Sequence, residues 1–170
     1  MIVKTLFILA LFCIRIVSTY ADDKIGSVTN LPLPRFVILK SRDVNMRTGP
    51  GMNYSNKINY KCSMTPVRVH SEFENWRLIQ DIDGNQGWIH EAMLDGRRYA
   101  QVNKSNILNI DEEVLIFRLP DLQSQPIARI EVGAIGKLIH CKGEWCQINF
   151  GKSYKGWILK NRLWGINVND

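Results

Sequence analysis

The residues best suited to chemistry are three histidines, the cysteines and a few closely spaced carboxylates. His140 and Cys141 adjoin, and Cys146 follows five residues later. A thiolate–imidazolium pair would make a nucleophile of Cys141. Neighbours on a strand point to opposite faces, however, and His140 and Cys141 are neighbours. Zinc needs four ligands at characteristic spacings; His140, Cys141 and Cys146 supply three, with no Cys-x-x-Cys. Glu72/Glu74 and Asp81/Asp83 are spaced by two, so each pair can share a strand face. Both pairs lie beside turns and are expected to be solvated there. The sequence therefore predicts no catalytic residue, no metal and no cofactor. There is also no glycine-rich phosphate loop: Arg47-Thr48-Gly49-Pro50-Gly51 lacks the lysine such a loop requires.

The cysteines fit a structural role better. Gly143-Glu144 can form a two-residue hairpin turn with glycine at the first central position. Lys142 then faces Trp145, and Cys141 faces Cys146 in a non-hydrogen-bonded pair with Cα atoms about 4.5 Å apart, at the short end of disulfide reach. A Cys141–Cys146 disulfide is expected, the alternative being two buried thiols. Cys62 is left over, either buried or available to couple two chains.

The elements that carry these residues are short and β-type. The chain has 170 residues, 45% of them hydrophobic and 22% charged, with a formal charge of +6. This composition excludes a disordered tail and a collagen-like fibre. No apolar run approaches the roughly 20 residues of a membrane-spanning helix, so no integral membrane span is expected. Residues 1–21 read as a secretory signal: Lys4 is the basic lead, Thr5–Ile14 the apolar stretch, and Thr19-Tyr20-Ala21 a cleavage site. Cleavage would lower the charge by two and place the remaining cysteines in an oxidising space. Residues 22–34, with Pro32 and Pro34, read as a flexible tether.

Beyond the tether, one skeleton occurs twice. At a shift of 69, Trp76 meets Trp145 and Ile79 meets Ile148. Gly87-Trp88-Ile89 meets Gly156-Trp157-Ile158, and Leu94 meets Leu163. Internal self-similarity of this kind signals repeated structural units. The units are expected at 35–98 and 108–168, joined by a connection at 99–107. Units of about 60 residues bury few side chains, so their Trp and Ile positions must supply much of the core. Trp88 and Trp157 are expected to be core or half-buried. Trp76 and Trp145 follow hairpin loops and could line a groove.

Val44-Asn45-Met46-Arg47-Thr48-Gly49-Pro50-Gly51, Trp76, Gly87-Trp88-Ile89 and Met93-Leu94 resemble the markers of bacterial SH3 domains, small barrels of exported cell-envelope proteins. The whole chain is similar to exported alphaproteobacterial proteins with two such domains in tandem. The resemblance implies an all-β protein of two tandem SH3-like barrels behind a signal peptide, exported and periplasmic. It implies a non-catalytic binding module whose partner is peptidoglycan or its peptides; the alternative is an adaptor for an extended peptide of an envelope protein. The groove would lie near Tyr54, Phe73 and Trp76, with Trp145 as the counterpart in the second unit. Arg47 either fixes its turn or binds a ligand carboxylate. Gly49, Gly51, Gly87, Trp88, Gly156 and Trp157 would be structural. The second unit has Arg118-Leu119-Pro120-Asp121 where the first has its glycine loop, so that loop is expected to take another path. Nucleic acid is not an expected partner, since no aromatic-basic ladder is present.

Overall fold

The structure is a computed structural model that describes residues 24–103, 113–152, 154–167 and 170. The signal sequence expected at 1–21 lies outside the described residues. The first barrel follows a small hairpin, β1 (Lys24–Ile25) and β2 (Pro32–Leu33). Its strands are β3 (Arg35–Leu39), β4 (Val44–Arg47), β5 (Asn56–Tyr60), β6 (Pro66–Phe73), β7 (Trp76–Gln80), β8 (Gln86–His90) and β9 (Leu94–Asp95), with one 3-10 turn at Glu91–Met93. They form one sheet in the order β5-β4-β8-β7-β6-β3-β9. The second barrel consists of β10 (Tyr99–Val102), β11 (Glu113–Phe117), β12 (Pro126–Glu131), β13 (Ile135–Lys142), β14 (Trp145–Phe150), β15 (Tyr154–Leu159) and β16 (Leu163–Trp164). Its 3-10 turn is Lys160–Arg162. The order is β12-β11-β15-β14-β13-β10-β16, the same plan strand for strand. The fold is all-β, two SH3-like barrels in tandem.

Alternation explains each core. Along β4, Val44 and Met46 are fully buried while Asn45 and Arg47 face out. Ile79 of β7 and Ile89 of β8 complete the first core with Leu39, Val67 and Val69. Ile116, Ile148 and Ile158 do the same in the second, with Ala100 and Val102. The glycine of each Gly-Trp-Ile triplet sits where the sheet folds over itself. A Cβ on Gly87 would lie 2.6 Å from Met46 Cγ and 2.7 Å from the Arg47 carbonyl oxygen; on Gly156 it would lie 2.9 Å from the Phe117 carbonyl oxygen. Only glycine lets β4 and β11 approach β8 and β15 this closely.

Two expected boundaries differ from the structure. Residues 24–33 are not a free tether. They form the β1–β2 hairpin, and Leu33 packs in the first core at 4% exposure. The connection expected at 99–107 begins instead with a full strand, because β10 occupies in the second barrel the place of β3 in the first. Phe36 opposes Arg68 as Tyr99 opposes Lys137, so the first strands are offset by 63 residues and the later ones by 69. The extra residues fall between β10 and β11. The barrels also touch. The Trp164 indole N–H donates to the Pro66 carbonyl at 3.0 Å, and its ring meets Phe36 edge-on at 4.9 Å. The Arg68 guanidinium lies 4.8 Å from the Phe36 ring centre and 4.9 Å from that of Trp164.

Candidate functional site

The outer face of the first barrel gathers most of the expected groove residues. Arg47 of β4 opposes Trp88 of β8, which opposes Leu78 of β7. One step along, Trp76 opposes His90 on one side and Phe73 on the other. Residues opposed in this way share a face, so Arg47, Trp88, Trp76 and Phe73 lie on one surface. Trp76 is buried, its ring edge-on to His90 at 5.3 Å, and Trp88 is half-buried. Phe73 is 50% exposed and Tyr54 is 43% exposed. Arg47 fixes the loop: its guanidinium donates to the Tyr54 carbonyl at 2.7 Å and the Met52 carbonyl at 3.3 Å.

The loop between β4 and β5 holds Tyr54 over two glycines. A Cβ on Gly49 would meet the Tyr54 ring at 2.4 Å, and one on Gly51 would meet the Asn53 side chain at 2.6 Å. Neither glycine has a positive φ. The glycines therefore make room for a ring; they do not make the bend. The second barrel corrects the expectation drawn from their loss. At an offset of 70, Arg118 N donates to Gln125 O as Thr48 N does to Ser55 O. Asp121 N donates to Leu119 O, and Ser124 N to Asp121 O, matching Gly51 with Gly49 and Tyr54 with Gly51. The path is kept without glycine because Ser124 replaces Tyr54 and leaves space for Leu119.

The second barrel's outer face is built differently. Phe117 stands in the place of Arg47 and meets Trp145 edge-on at 5.5 Å. Trp157, which is buried, meets His140 at 5.0 Å. Trp145 is half-buried. Here rings pack on rings, where the first barrel leaves Tyr54 and Phe73 open.

The charged residues correct a second expectation. Glu72 and Asp81 are not solvated turn acids; they are buried, as is Arg77. The Glu72 carboxylate accepts from the Val28 and Thr29 amides at 2.9 Å, the Thr29 hydroxyl at 2.6 Å and Arg35 Nη2 at 2.8 Å. Arg77 Nε lies 3.7 Å away. Burial alone pushes this carboxyl up, but the Thr29 hydroxyl, the two amides and Arg35 outweigh it and hold it down at about 2. Asp81 accepts from the Asp83 and Asn85 amides, the Asn85 side chain and the Tyr60 hydroxyl. Burial, reinforced by Asp81, raises the Tyr60 phenol well above its ordinary range. Sequence alone missed these roles because the partners of Glu72 lie up to 44 residues away.

Cys141 and Cys146 face each other across the β13–β14 hairpin and form the disulfide, with Cα atoms 4.0 Å apart. Gly143 has φ 54°, as the expected turn demands. Cys62 is a free, exposed thiol. No cluster of three or more metal-binding side chains occurs among the described residues.

Comparison with known proteins follows the repeat. A family model described as a bacterial SH3 domain matches residues 40–96 and again residues 111–165. Solved structures similar to the chain include NlpC2 and NlpC1 of Trichomonas vaginalis. Identity is 14% to each; the TM-scores are 0.33 and 0.32, over 77% and 82% of this chain. The match covers 48% of each of those proteins, so the chain spans about half their length. No curated protein matches the chain.

Proposed function

Because the chain belongs to the bacterial SH3 domain family, we propose that it is an exported, non-catalytic binding module of the cell envelope that recognises peptidoglycan or its peptides. The outer face of the first barrel is the recognition surface. The observation that carries this is the open ring of Phe73 on one face with the fixed rings of Trp76 and Trp88, beside the exposed Tyr54 of the loop that Arg47 of the same face holds. Aromatic walls of this kind bind extended peptides at low entropic cost, because the rings are already held in place. Arg47 shapes the wall by fixing the Tyr54 loop.

The test is co-sedimentation of the purified mature chain with isolated wall sacculi. A Tyr54→Ala/Phe73→Ala variant removes two exposed rings and is expected to keep its unfolding midpoint while losing at least about tenfold in wall binding, as for truncated aromatic hot spots. Enrichment no greater than that of an unrelated basic protein would overturn the reading. Crosslinking in cells to one discrete envelope protein, without wall material, would replace it with the adaptor role. Mass analysis of the exported chain, expected to begin at Asp22, tests the signal.

A further inference from the structure

A wall of rings holds a ligand but does not orient it; that takes a few placed donors or acceptors. Arg47 turns its Nη1 to the Tyr54 and Met52 carbonyls of its own loop. His90 is the polar side chain at the other end of the wall. It opposes Trp76 across the β7–β8 pair and lies two residues from Trp88 on β8, so the three side chains leave one face. It is half-buried, and the Trp76 ring stands edge-on to it. β4 pairs with β8 only at Arg47–Trp88, so among the described residues no strand is paired beside His90 on that flank.

The two ring nitrogens of His90 have different surroundings. The Ala92 amide donates to Nδ1 at 3.2 Å, at the start of the 3-10 turn Glu91–Met93. A nitrogen that accepts carries no proton, so the neutral ring holds its proton on Nε2. Nε2 has no hydrogen-bond partner among the described residues, and it is not one of the polar atoms shut away from solvent. His70 is the opposite case, with its Nε2 paired to Gln80 at 2.9 Å. His90 thus presents an accessible donor of fixed tautomer, in a ring braced by Ala92 and Trp76.

The second barrel shows that the turn itself does not need an imidazole. Leu159 opposes Trp145 as His90 opposes Trp76, and the turn Lys160–Arg162 forms there with no side-chain cap. Where a cap is useful, Ser, Thr, Asp and Asn are the usual residues. What His90 adds to such a cap is the second nitrogen.

Given that the outer face of the first barrel is the recognition surface, we propose that His90 is its polar contact, with Nε2–H donating to a backbone carbonyl oxygen of an extended peptide laid on Phe73 and Trp76. A lone fixed donor suits a carbonyl, which only accepts, better than a sugar hydroxyl, which also needs an acceptor. The ligand is therefore the peptide portion of the wall and not its glycan. A preset donor lowers the ordering cost of binding, as the fixed rings do.

Competition for sacculus binding by the purified mature chain tests this. An amidase divides sacculi into free peptides and peptide-free glycan strands. The peptides compete; the glycan strands compete at least about tenfold more weakly. His90→Asn keeps an acceptor for the Ala92 amide and removes the outer donor. It keeps the unfolding midpoint and binds sacculi about three- to tenfold more weakly, the worth of one neutral hydrogen bond. Proton–nitrogen correlation spectra of the imidazole rings, taken on the unaltered chain in alkaline buffer, keep the proposal open to refutation if that variant misfolds. His90 shows the Nε2–H tautomer, and the released peptides shift its resonances. Glycan strands that compete as well as the peptides, a folded His90→Asn chain that binds undiminished, an Nδ1–H tautomer, or peptide-induced shifts at Phe73 and Trp76 that spare His90 would overturn it and leave the outer-face reading standing. Failure of the unaltered chain to bind sacculi would overturn both.

Discussion

The two barrels close the same cross-strand position by opposite means. In the first, Glu72 of β6 opposes Arg77 of β7; in the second, Cys141 of β13 opposes Cys146 of β14. One barrel holds a buried ion pair that reaches outward to the β1–β2 hairpin. The other holds a covalent bond that packs into its own barrel's core and ties to no element outside that barrel. A disulfide of this short loop contributes about 2 kcal/mol in the chain-entropy picture and depends little on its surroundings. The ion pair needs Val28, Thr29 and Arg35 to offset its desolvation. The hairpin and the first barrel are thus one folding unit, and a buried carboxylate is the reason.

Breaking each closure should produce effects of different size. Glu72→Ala leaves the buried Arg35 without its counter-charge and Arg77 with the exposed Glu91 alone, and is expected to cost about 3–5 kcal/mol. Urea unfolding measures the loss, and hydrogen exchange at Ile25–Leu33 shows the hairpin coming free. Acid produces a graded version. The Glu72 carboxyl is held at about 2 in the fold, below its value in the unfolded chain. Its contribution is therefore complete above about pH 5 and lost as the pH falls toward 2. The first barrel is expected to weaken over that window, read as faster exchange at Ile79 than at Ile148.

Reduction is the matching experiment on the other side. Dithiothreitol should cost the second barrel about 2 kcal/mol and leave the first unchanged, measured as exchange at Ile148 against Ile79. The glycine loops sharpen the comparison further. Gly49→Leu drives a side chain into the Tyr54 ring and is expected to cost about 1–3 kcal/mol by overpacking. Adding Tyr54→Ser reproduces the second barrel's arrangement and should restore most of the loss, a coupling that a double-mutant cycle in urea reads directly. The smallest effect concerns the hairpin turns. Glu74 sits at φ 47°, where the second barrel has Gly143 at φ 54°. Glu74→Gly relieves a left-handed cost of roughly 1–2 kcal/mol against the extra chain entropy of glycine. A net gain of up to about 1 kcal/mol is expected, seen as a higher thermal midpoint.

What the sequence disclosed follows from range. The Cys141–Cys146 hairpin was legible because its turn, register and partner lie within six residues. The repeat was legible because Trp76, Gly87-Trp88-Ile89 and their counterparts keep one spacing through the last strands. That spacing fails at the first strands, which are offset by 63, so Tyr99–Val102 read as a connection. Residues 24–33 read as a tether because their polar, proline-bearing pattern has no periodicity, and their anchors, Glu72 and the core around Leu33, are distant. Glu72 and Asp81 read as solvated because each adjoins a turn; burial came from groups brought in by the fold. The glycine loop differs for another reason. Gly49 and Gly51 looked like bending residues, but the ring of Tyr54 sets their need.

The stack of Phe36, Arg68 and Trp164 has a consequence in time. Phe36 and Arg68 are in place as soon as β3 and β6 pair, but Trp164 comes from the last strand of the second barrel. As the chain is synthesised, the first barrel can complete its own sheet while one flank of it stays uncovered. That flank is closed only when nearly the whole second barrel has emerged. Assembly of the pair is therefore directional, and a chain halted between the barrels lacks the ring that covers Phe36 and Arg68 in the finished protein.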